Sequence, residues 1–334
     1  MSSVYITGIA GFLGSHLADW FVARGDNVRG CDNFSTGDLA NLSPQLRDIV
    51  DYSDVESLDP THFEGIDVAI HTAAAAYEGL STFAPFCISR NIYAGSAAVF
   101  SAAIAAGVKR IVFTSSMARY GYARAKHIQF HEWAAPYPVD PYGIAKEAAE
   151  RLLINLCETH GVEWSIAVPH NIYGPRQRYI DPYRNVAAIM ANLMLMEQRP
   201  VIYGDGKQVR CFSYIDDVVP TLARMALDPI AKGEIVNVGP DSGAVTILEL
   251  AEMIAEIVGL RCNPMFLPDR PREVKRAVCS SDKARRLFGF EQRTTLGEGL
   301  EKLVSYITER GPKPFSYHVP IEIKSALLPA TWRR

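Results

Sequence analysis

Val4-Tyr5-Ile6-Thr7-Gly8-Ile9-Ala10-Gly11-Phe12-Leu13-Gly14 is an apolar run that ends in three glycines and leads into a helix-like stretch, Ser15 to Ala23. Read in order, these are a strand, a tight turn and a helix. Glycines permit the turn, let backbone amides approach a pyrophosphate, and let the helix pack closely on the strand with the phosphate at its amino end. Val28-Arg29-Gly30-Cys31 reads as a second strand, and Asp32 follows it, eighteen residues after Gly14. A carboxylate in that place accepts hydrogen bonds from an adenosine ribose and repels a 2′-phosphate, which favours NAD over NADP.

Working outward, strand-like runs recur at 3–7, 27–31, 67–71, 109–115 and 163–168, separated by helical stretches such as 88–106 and 140–160. Such alternation predicts α/β architecture, a Rossmann-type doubly wound parallel sheet covered on both faces. The run Val108 to Ser115 delivers hydroxyls to its carboxyl end, the end that faces ligand in open parallel sheets. Beyond about residue 170 the order loosens into a helix near 184–197, short strands near 201–203 and 210–214, and helices near 217–228 and 246–258. The expected organisation is an NAD-binding domain over 1–170 to which about 208–240 returns, a smaller α/β substrate-binding lobe over 171–314, and an unassigned stretch over 315–334.

In Asp140-Pro141-Tyr142-Gly143-Ile144-Ala145-Lys146, the tyrosine and the lysine stand four apart, on one face of a helix. A tyrosine hydroxyl titrates near ~10. An ammonium beside it favours the phenolate, so the pair suits proton transfer at neutral pH. On its own the spacing is also that of a half-buried tyrosine and a solvated lysine on an amphipathic helix.

The chain has 334 residues, 48% of them AVILMFWYC, enough for a large core. Its net charge of −3 gives no reason to expect nucleic acid or an anionic membrane as partner. Cysteines 31, 87, 157, 211, 262 and 279 show no C-x-x-C or other metal-ligand spacing, so reduced thiols and no metal are expected. Gly, His and Asp interrupt the first helix, which predicts neither a signal peptide nor a membrane span, and hence a cytoplasmic protein.

Several motifs follow one another in a familiar order. They are the glycine turn, Asp32-Asn33-Phe34-Ser35-Thr36-Gly37, His71-Thr72-Ala73-Ala74, Asn91, Thr114-Ser115-Ser116-Met117-Ala118-Arg119-Tyr120-Gly121, the Tyr142/Lys146 pair and Asn171-Ile172-Tyr173-Gly174-Pro175. Then come Tyr203-Gly204-Asp205-Gly206, Arg210, Tyr214-Ile215-Asp216-Asp217-Val218 and Arg270-Pro271-Arg272-Glu273. From Val4 to the Leu303 region the chain resembles the extended short-chain dehydrogenase/reductases, in the branch of NAD-dependent nucleotide-sugar epimerases and dehydratases. The resemblance implies that His71 ends a fourth strand and Val168 a sixth. It implies NAD held by Gly8, Gly11, Phe12, Leu13, Gly14, Asp32, Asn33, Ser35, Thr36, Gly37, Asp51, Tyr52, Thr72, Ala73, Ala74, Asn91, Ser115, Tyr142, Lys146 and Pro169. Catalysis falls to Ser116, Tyr142 and Lys146. Ser116 hydrogen-bonds the sugar hydroxyl being oxidised, Tyr142 takes its proton, and Lys146 holds the cofactor ribose and lowers the tyrosine pKa. The implied substrate contacts are Glu78, Ser116, Tyr142, Asn171, Asn185, Val186, Val201, Tyr203, Arg210, Arg270, Glu273 and Ala277, with Tyr203 stacking on uracil. A homodimer through the helices containing Asn91 and Tyr142 is implied as well.

Within the branch, 4,6-dehydratases carry Asp-Glu immediately after the catalytic hydroxyl, decarboxylating members usually a glutamate nearby, and 3,5-epimerases a cysteine where Ala118 stands. Here the residues are Met117-Ala118. A 4-epimerase needs no further acid or base there, so the resemblance is nearest to UDP-glucose (UDP-galactose) 4-epimerases. Ala277 stands where some of these have a large tyrosine, and a small side chain there is expected to admit a 2-acetamido sugar. Two departures stand out: Val168-Pro169-His170-Asn171 replaces the usual Arg-Tyr-Phe-Asn, and the segment 176–184 is rich in arginine, which suits phosphate or a uronate carboxylate. His170 reads as a core histidine ahead of a catalytic one. A uronate epimerase, a dehydratase, a reductase and a non-catalytic NAD sensor remain open alternatives.

Overall fold

A computed structural model of the protein describes residues 1–122 and 129–333; Arg334, the last residue of the unassigned stretch, lies outside the described residues. Strands β1 (Ser3–Thr7), β2 (Asn27–Cys31), β3 (Val68–His71), β4 (Arg110–Thr114), β5 (Glu163–Pro169) and β6 (Glu234–Val238) form one sheet in the order β6-β5-β4-β3-β1-β2. Every pairing in this sheet is parallel. Successive side chains of β1 point to opposite faces, so Val4 and Ile6 enter one apolar core and Tyr5 the other. Burial on both sides is why these strands read as unbroken apolar runs. Each large side chain so buried contributes about 1.5–3 kcal/mol.

The strand order reverses between β1 and β3, which opens a crevice above their carboxyl ends. Helix α1 (Phe12–Ala23) starts at that crevice, three residues before the expected Ser15, so that Gly14 lies inside its first turn. The stretch expected as one helix over 88–106 is Pro85–Ser89, a wider π turn at Arg90–Ala94, and α2 (Gly95–Ala105). Helix α3 (Pro141–His160) begins with Asp140, whose carboxylate accepts from the Gly143 amide at 2.8 Å, and ends at Gly161 in the left-handed conformation, φ 72°.

One expectation fails between Asp32 and Asp67. Among the described residues no strand forms there, so His71 ends the third strand and Val168 lies in the fifth. The segment makes a single bridge, Cys31 to Asp51, and otherwise short helical turns. The reason is local: Asp38, Asp54 and Asp59 each accept the amide two residues on, which starts a turn in place of a ladder.

Past Asn171 the strands outside this sheet are two or three residues long. Val201–Tyr203 pairs with Met265–Leu267, Val209–Arg210 with Val245–Thr246 and Arg276–Ala277, and Ile172–Tyr173 with Ser213–Tyr214. Helices Val186–Leu195, Ile247–Val258 and Leu296–Arg310 pack together behind them, the last two started by capping boxes at Thr246/Glu249 and Thr295/Glu298. Among the described residues no helix is long and apolar enough to cross a membrane.

Candidate active site

A cavity of about 900 Å³ runs from the glycine turn across the carboxyl ends of β1, β3 and β4 to the short strands of the second half. At its sheet end the wall is backbone. Gly8 has φ +70°, and a Cβ there would fall 2.9 Å from Cα of Ala73. A Cβ on Gly14 would fall 2.1 Å from the Gly8 carbonyl oxygen. Only glycine fits both places. Gly11, at the start of α1, offers no side chain to the first amides of the helix, and no acidic residue occupies the first turn. Those donors therefore face the cavity ready for an anion. Asp32 closes this end, accepting from the amides of Ala10 at 3.0 Å and Phe34 at 2.8 Å. Glycine cradle, open amides and the carboxylate at the end of β2 fit a dinucleotide.

Above the cradle, Ser115 and Ser116 follow β4, and α3 lies across them. Tyr142, Lys146 and Glu150 occupy one face of α3 at four-residue spacing and are all buried. A Cβ on Gly143 would meet the Ala118 carbonyl oxygen at 2.7 Å, so this glycine sets how closely the helix approaches the serines. Burial pushes the Tyr142 phenol up, with the Ser116 hydroxyl opposing the rise. Burial lowers Lys146 to about 7, opposed by the Glu150 carboxylate. Lys146 Nζ donates to the Thr114 carbonyl at 2.8 Å and lies 4.8 Å from the centre of the Phe113 ring. The ammonium is thus held toward β4, and burial outweighs any lowering of the phenol that the sequence spacing suggests. Glu150 was not singled out from the sequence. It hydrogen-bonds Ser115 and pairs with buried Arg119 at 3.1 Å, and its signal was the continued four-residue spacing.

Nearly all residues expected at a site line this one cavity. On the sheet side they are Gly8, Gly11, Phe12, Leu13, Gly14, Asp32, Asn33, Ser35, Thr36, Thr72, Ala73, Ala74, Asn91, Ser115, Ser116, Tyr142, Lys146 and Pro169; on the other, Glu78, Asn171, Asn185, Val186, Val201, Tyr203, Arg210, Arg270 and Glu273. Thr72 Oγ1 donates to the Thr7 carbonyl at 2.7 Å, and the Asn91 carboxamide oxygen accepts from the Ala75 amide at 2.7 Å, fixing the loop after β3. Glu273 bridges two guanidinium groups, accepting from Arg210 at 2.9 Å and from Arg270 at 2.9 and 2.7 Å. Arg270 lies 5.1 Å from the centre of the Tyr203 ring. Burial and the Asp140 carboxylate together hold the Glu78 carboxyl well above its usual range, against Arg210.

Four residues fall elsewhere. Asp51 is used by its backbone, which accepts from the Asp32 amide at 3.0 Å. Tyr52 is 66% exposed and stacks on Phe34 with ring centres 4.6 Å apart. Gly37 passes beneath the Asp32 carboxylate, 2.7 Å from where its Cβ would be. Ala277 is buried, in register with cavity-lining Arg210, and is not itself among the residues that line the cavity. Asn185 lines the cavity, but its side chain is engaged, accepting from the Ala187 amide and donating to the Ile172 carbonyl. His170 is a core residue as expected, 1% exposed and bonded to the Pro240 carbonyl at 2.8 Å.

A family model, the NAD dependent epimerase/dehydratase family, matches residues 4–239. The chain belongs to this family. It is 31% identical to a UDP-glucose 4-epimerase of Mycolicibacterium smegmatis over 315 residues, 91% of this chain and 98% of that protein. It is 32% identical to UDP-glucuronic acid decarboxylase 4 of Arabidopsis thaliana, over 92% of this chain and 69% of that protein. The crystal structure of a Thermotoga maritima UDP-glucose 4-epimerase with UDP-glucose superposes with a TM-score of 0.85 at 30% identity, covering 92% of this chain and 99% of that one. The parallel sheet and its flanking helices are thus those of a family that works with NAD.

Proposed function

We propose that the protein is an NAD-dependent UDP-sugar 4-epimerase. The observation that carries this reading is a catalytic face with a single acid–base phenol: Tyr142 opposite Ser116, with the apolar pair Met117 and Ala118 beside them. A decarboxylase or dehydratase of the family carries a carboxylate next to the catalytic hydroxyl; the Glu78 and Asp140 carboxylates that act on the Tyr142 phenol come from other parts of the chain. Gly8, Gly11, Gly14 and Asp32 would hold the cofactor, with Lys146 at its ribose, and bound NAD supplies a hydride acceptor that returns the hydride at the end of the cycle. The chain's own residues do the rest. Ser116 orients the C4 hydroxyl, Tyr142 takes its proton, and the same phenol gives the proton back after the 4-keto sugar has turned over in the cavity. Arg210 and Arg270 would bind the diphosphate, since a planar guanidinium matches paired oxygens.

The sugar is glucose/galactose or an N-acetylhexosamine in this reading. A uronate is the second reading, favoured by Arg176, Arg178 and Arg184 on the cavity wall. We place the enzyme in the cytoplasm as a homodimer. The dimer has support in a patch where Phe86, Tyr93 and Ile144 are 70%, 43% and 52% exposed along the helices that carry Asn91 and Tyr142. The deciding experiment is NMR of the purified protein with UDP-glucose, UDP-GlcNAc, UDP-glucuronate and GDP-mannose in separate tubes, without added NAD. A C4 epimer from a UDP-sugar is expected. Unchanged spectra, loss of carbon dioxide from UDP-glucuronate, or a 4-keto-6-deoxy product would refute the reading.

A further inference from the structure

The stretch that follows Leu296–Arg310 carries none of the family's motifs, yet it is tied to both rims of the cavity. On the rim formed by the second half, the side chain of buried Asn192 donates to the Lys313 carbonyl at 2.8 Å and accepts from its amide at 3.0 Å, and the Ser316 amide reaches the Ile180 carbonyl at 2.8 Å. On the sheet side, the Glu322 and Ile323 amides donate to the Phe83 carbonyl at 2.9 and 3.0 Å. The Glu322 carboxylate accepts from the amides of Phe86 and Cys87 at 2.8 Å each. His318 Nε2 meets the Tyr77 hydroxyl at 2.8 Å.

The chain then returns across the opening. Trp332 is 3% exposed, with its ring 5.3 Å from Tyr183, 6.2 Å from Phe83 and 6.3 Å from Tyr203. Thr331 Oγ1 lies 2.5 Å from the Tyr203 hydroxyl, and its carbonyl accepts from Tyr317 at 3.0 Å. Gly79 packs close beneath them: a Cβ there would stand 3.0 Å from Arg270 Nη1 and 3.5 Å from Trp332 Cη2. Tyr317, His318, Thr331 and Trp332 all line the cavity. A free arm does not bury a tryptophan or bond to both sides of one cleft.

We propose that residues 312–333 are a strap that forms part of the nucleotide-sugar site, with Trp332 as the wall between Tyr203 and Tyr183 and Thr331 as the positioning residue that fixes the Tyr203 phenol beside Arg270. The assignment of this end of the cavity to the UDP moiety rests on the functional reading above. The strap has no part in the chemistry at Tyr142, so its contribution is to binding.

The test uses the full chain with its bound NAD, in unaltered form and as Trp332→Ala, Trp332→Phe and Thr331→Val. UDP binding is measured by calorimetry, KM and kcat by epimer formation, and NAD content after denaturation. For Trp332→Ala the expected result is a rise of about tenfold in both the UDP dissociation constant and KM, with kcat and NAD content kept and most of the loss restored in Trp332→Phe. Thr331→Val, which keeps the shape and removes one hydroxyl, is expected to raise both by about threefold and remains informative if Trp332→Ala does not fold. Unchanged or tightened UDP binding in Thr331→Val, or a loss of NAD and kcat in step with binding, would overturn the proposal. Should no UDP-sugar be turned over by the unaltered protein, the epimerase reading fails, while calorimetry still decides on the strap: weaker UDP binding in the variants supports it, and equal or absent binding overturns it.

Discussion

At the sheet end of the cavity the wall is backbone: Gly8, Gly11 and Gly14 clear the way to open amides, and the loop after β3 comes within 2.9 Å of where a Cβ on Gly8 would be. At the opposite end the wall is long side chains, with Arg270 holding Glu273 through two nitrogens and Arg210 through one, Tyr203 under Arg270, and the strap laid over them. A backbone wall tolerates almost no change, because an added methyl must displace main chain. A side-chain wall can be rebuilt by single substitutions without disturbing the sheet. The first suits a constant cofactor, and the second suits a substrate that varies within one family.

The largest expected effect lies where the two walls meet. Tyr142→Phe removes a hydroxyl and leaves the buried ring, so NAD content and melting temperature are expected to hold while epimer formation falls by about 10²–10⁴-fold, the range for a lost general acid–base group. Turnover within a factor of a few of the unaltered protein would mean that Tyr142 is only a packing residue, in the apolar cluster it shares with Tyr77, Ala118 and Trp332.

The same contrast explains what could be read from the sequence. Strands β1, β2 and β5 came out within a residue of their bounds, since two-sided burial writes itself as apolar runs. The glycine turn and Tyr142/Lys146 were legible because backbone clearance and helix spacing are local. The missing strand after Asp32 was lost to aspartate-started turns, a contest between hydrogen bonds that periodicity does not register. The far wall was harder. Its strands are two or three residues long, below any period, and Ala277, expected in the cavity from its place seven residues beyond Arg270, is buried in register with Arg210. The strap was illegible altogether, because contacts such as Tyr77 to His318 span 241 residues and depend on single side chains.

A second prediction concerns the strain held on the sheet side. Folding lowers Lys146 from 10.5 to about 7 through burial, so between those values the unfolded chain binds more protons than the native one. Native stability contributed by this group therefore rises with pH across that window, and below about pH 7 the buried ammonium carries its full penalty. In NAD-stripped protein, Lys146→Met is expected to melt higher than the unaltered chain at about pH 6, by an amount equivalent to as much as a few kcal/mol, with the gap closing toward about pH 10. A gap that stays constant with pH would show that Lys146 titrates normally and that the sheet end stores no such strain.

The smallest effect tests the far wall, through a change that keeps charge. Arg270 holds Glu273 with two nitrogens, Nε at 2.9 Å and Nη2 at 2.7 Å, while its guanidinium lies over the Tyr203 ring. A lysine offers one point charge and cannot make the fork and the stacking contact together. Arg270→Lys also leaves Glu273 with the single hydrogen bond from Arg210 at 2.9 Å. The expected result is a rise in KM for the UDP-sugar of about five- to tenfold, near 1 kcal/mol, with kcat and NAD content unchanged. The matched control is Lys109→Arg, at the amino end of β4, where a solvent-facing lysine pairs with Asp67 at 2.7 Å; an exposed pair of this kind contributes little, and neither KM nor stability should move. If Arg270→Lys is as silent as the control, charge alone serves the far wall and its side-chain geometry does not select the substrate. If KM rises with kcat held, the two ends of the cavity differ in how they recognise as well as in how they are built.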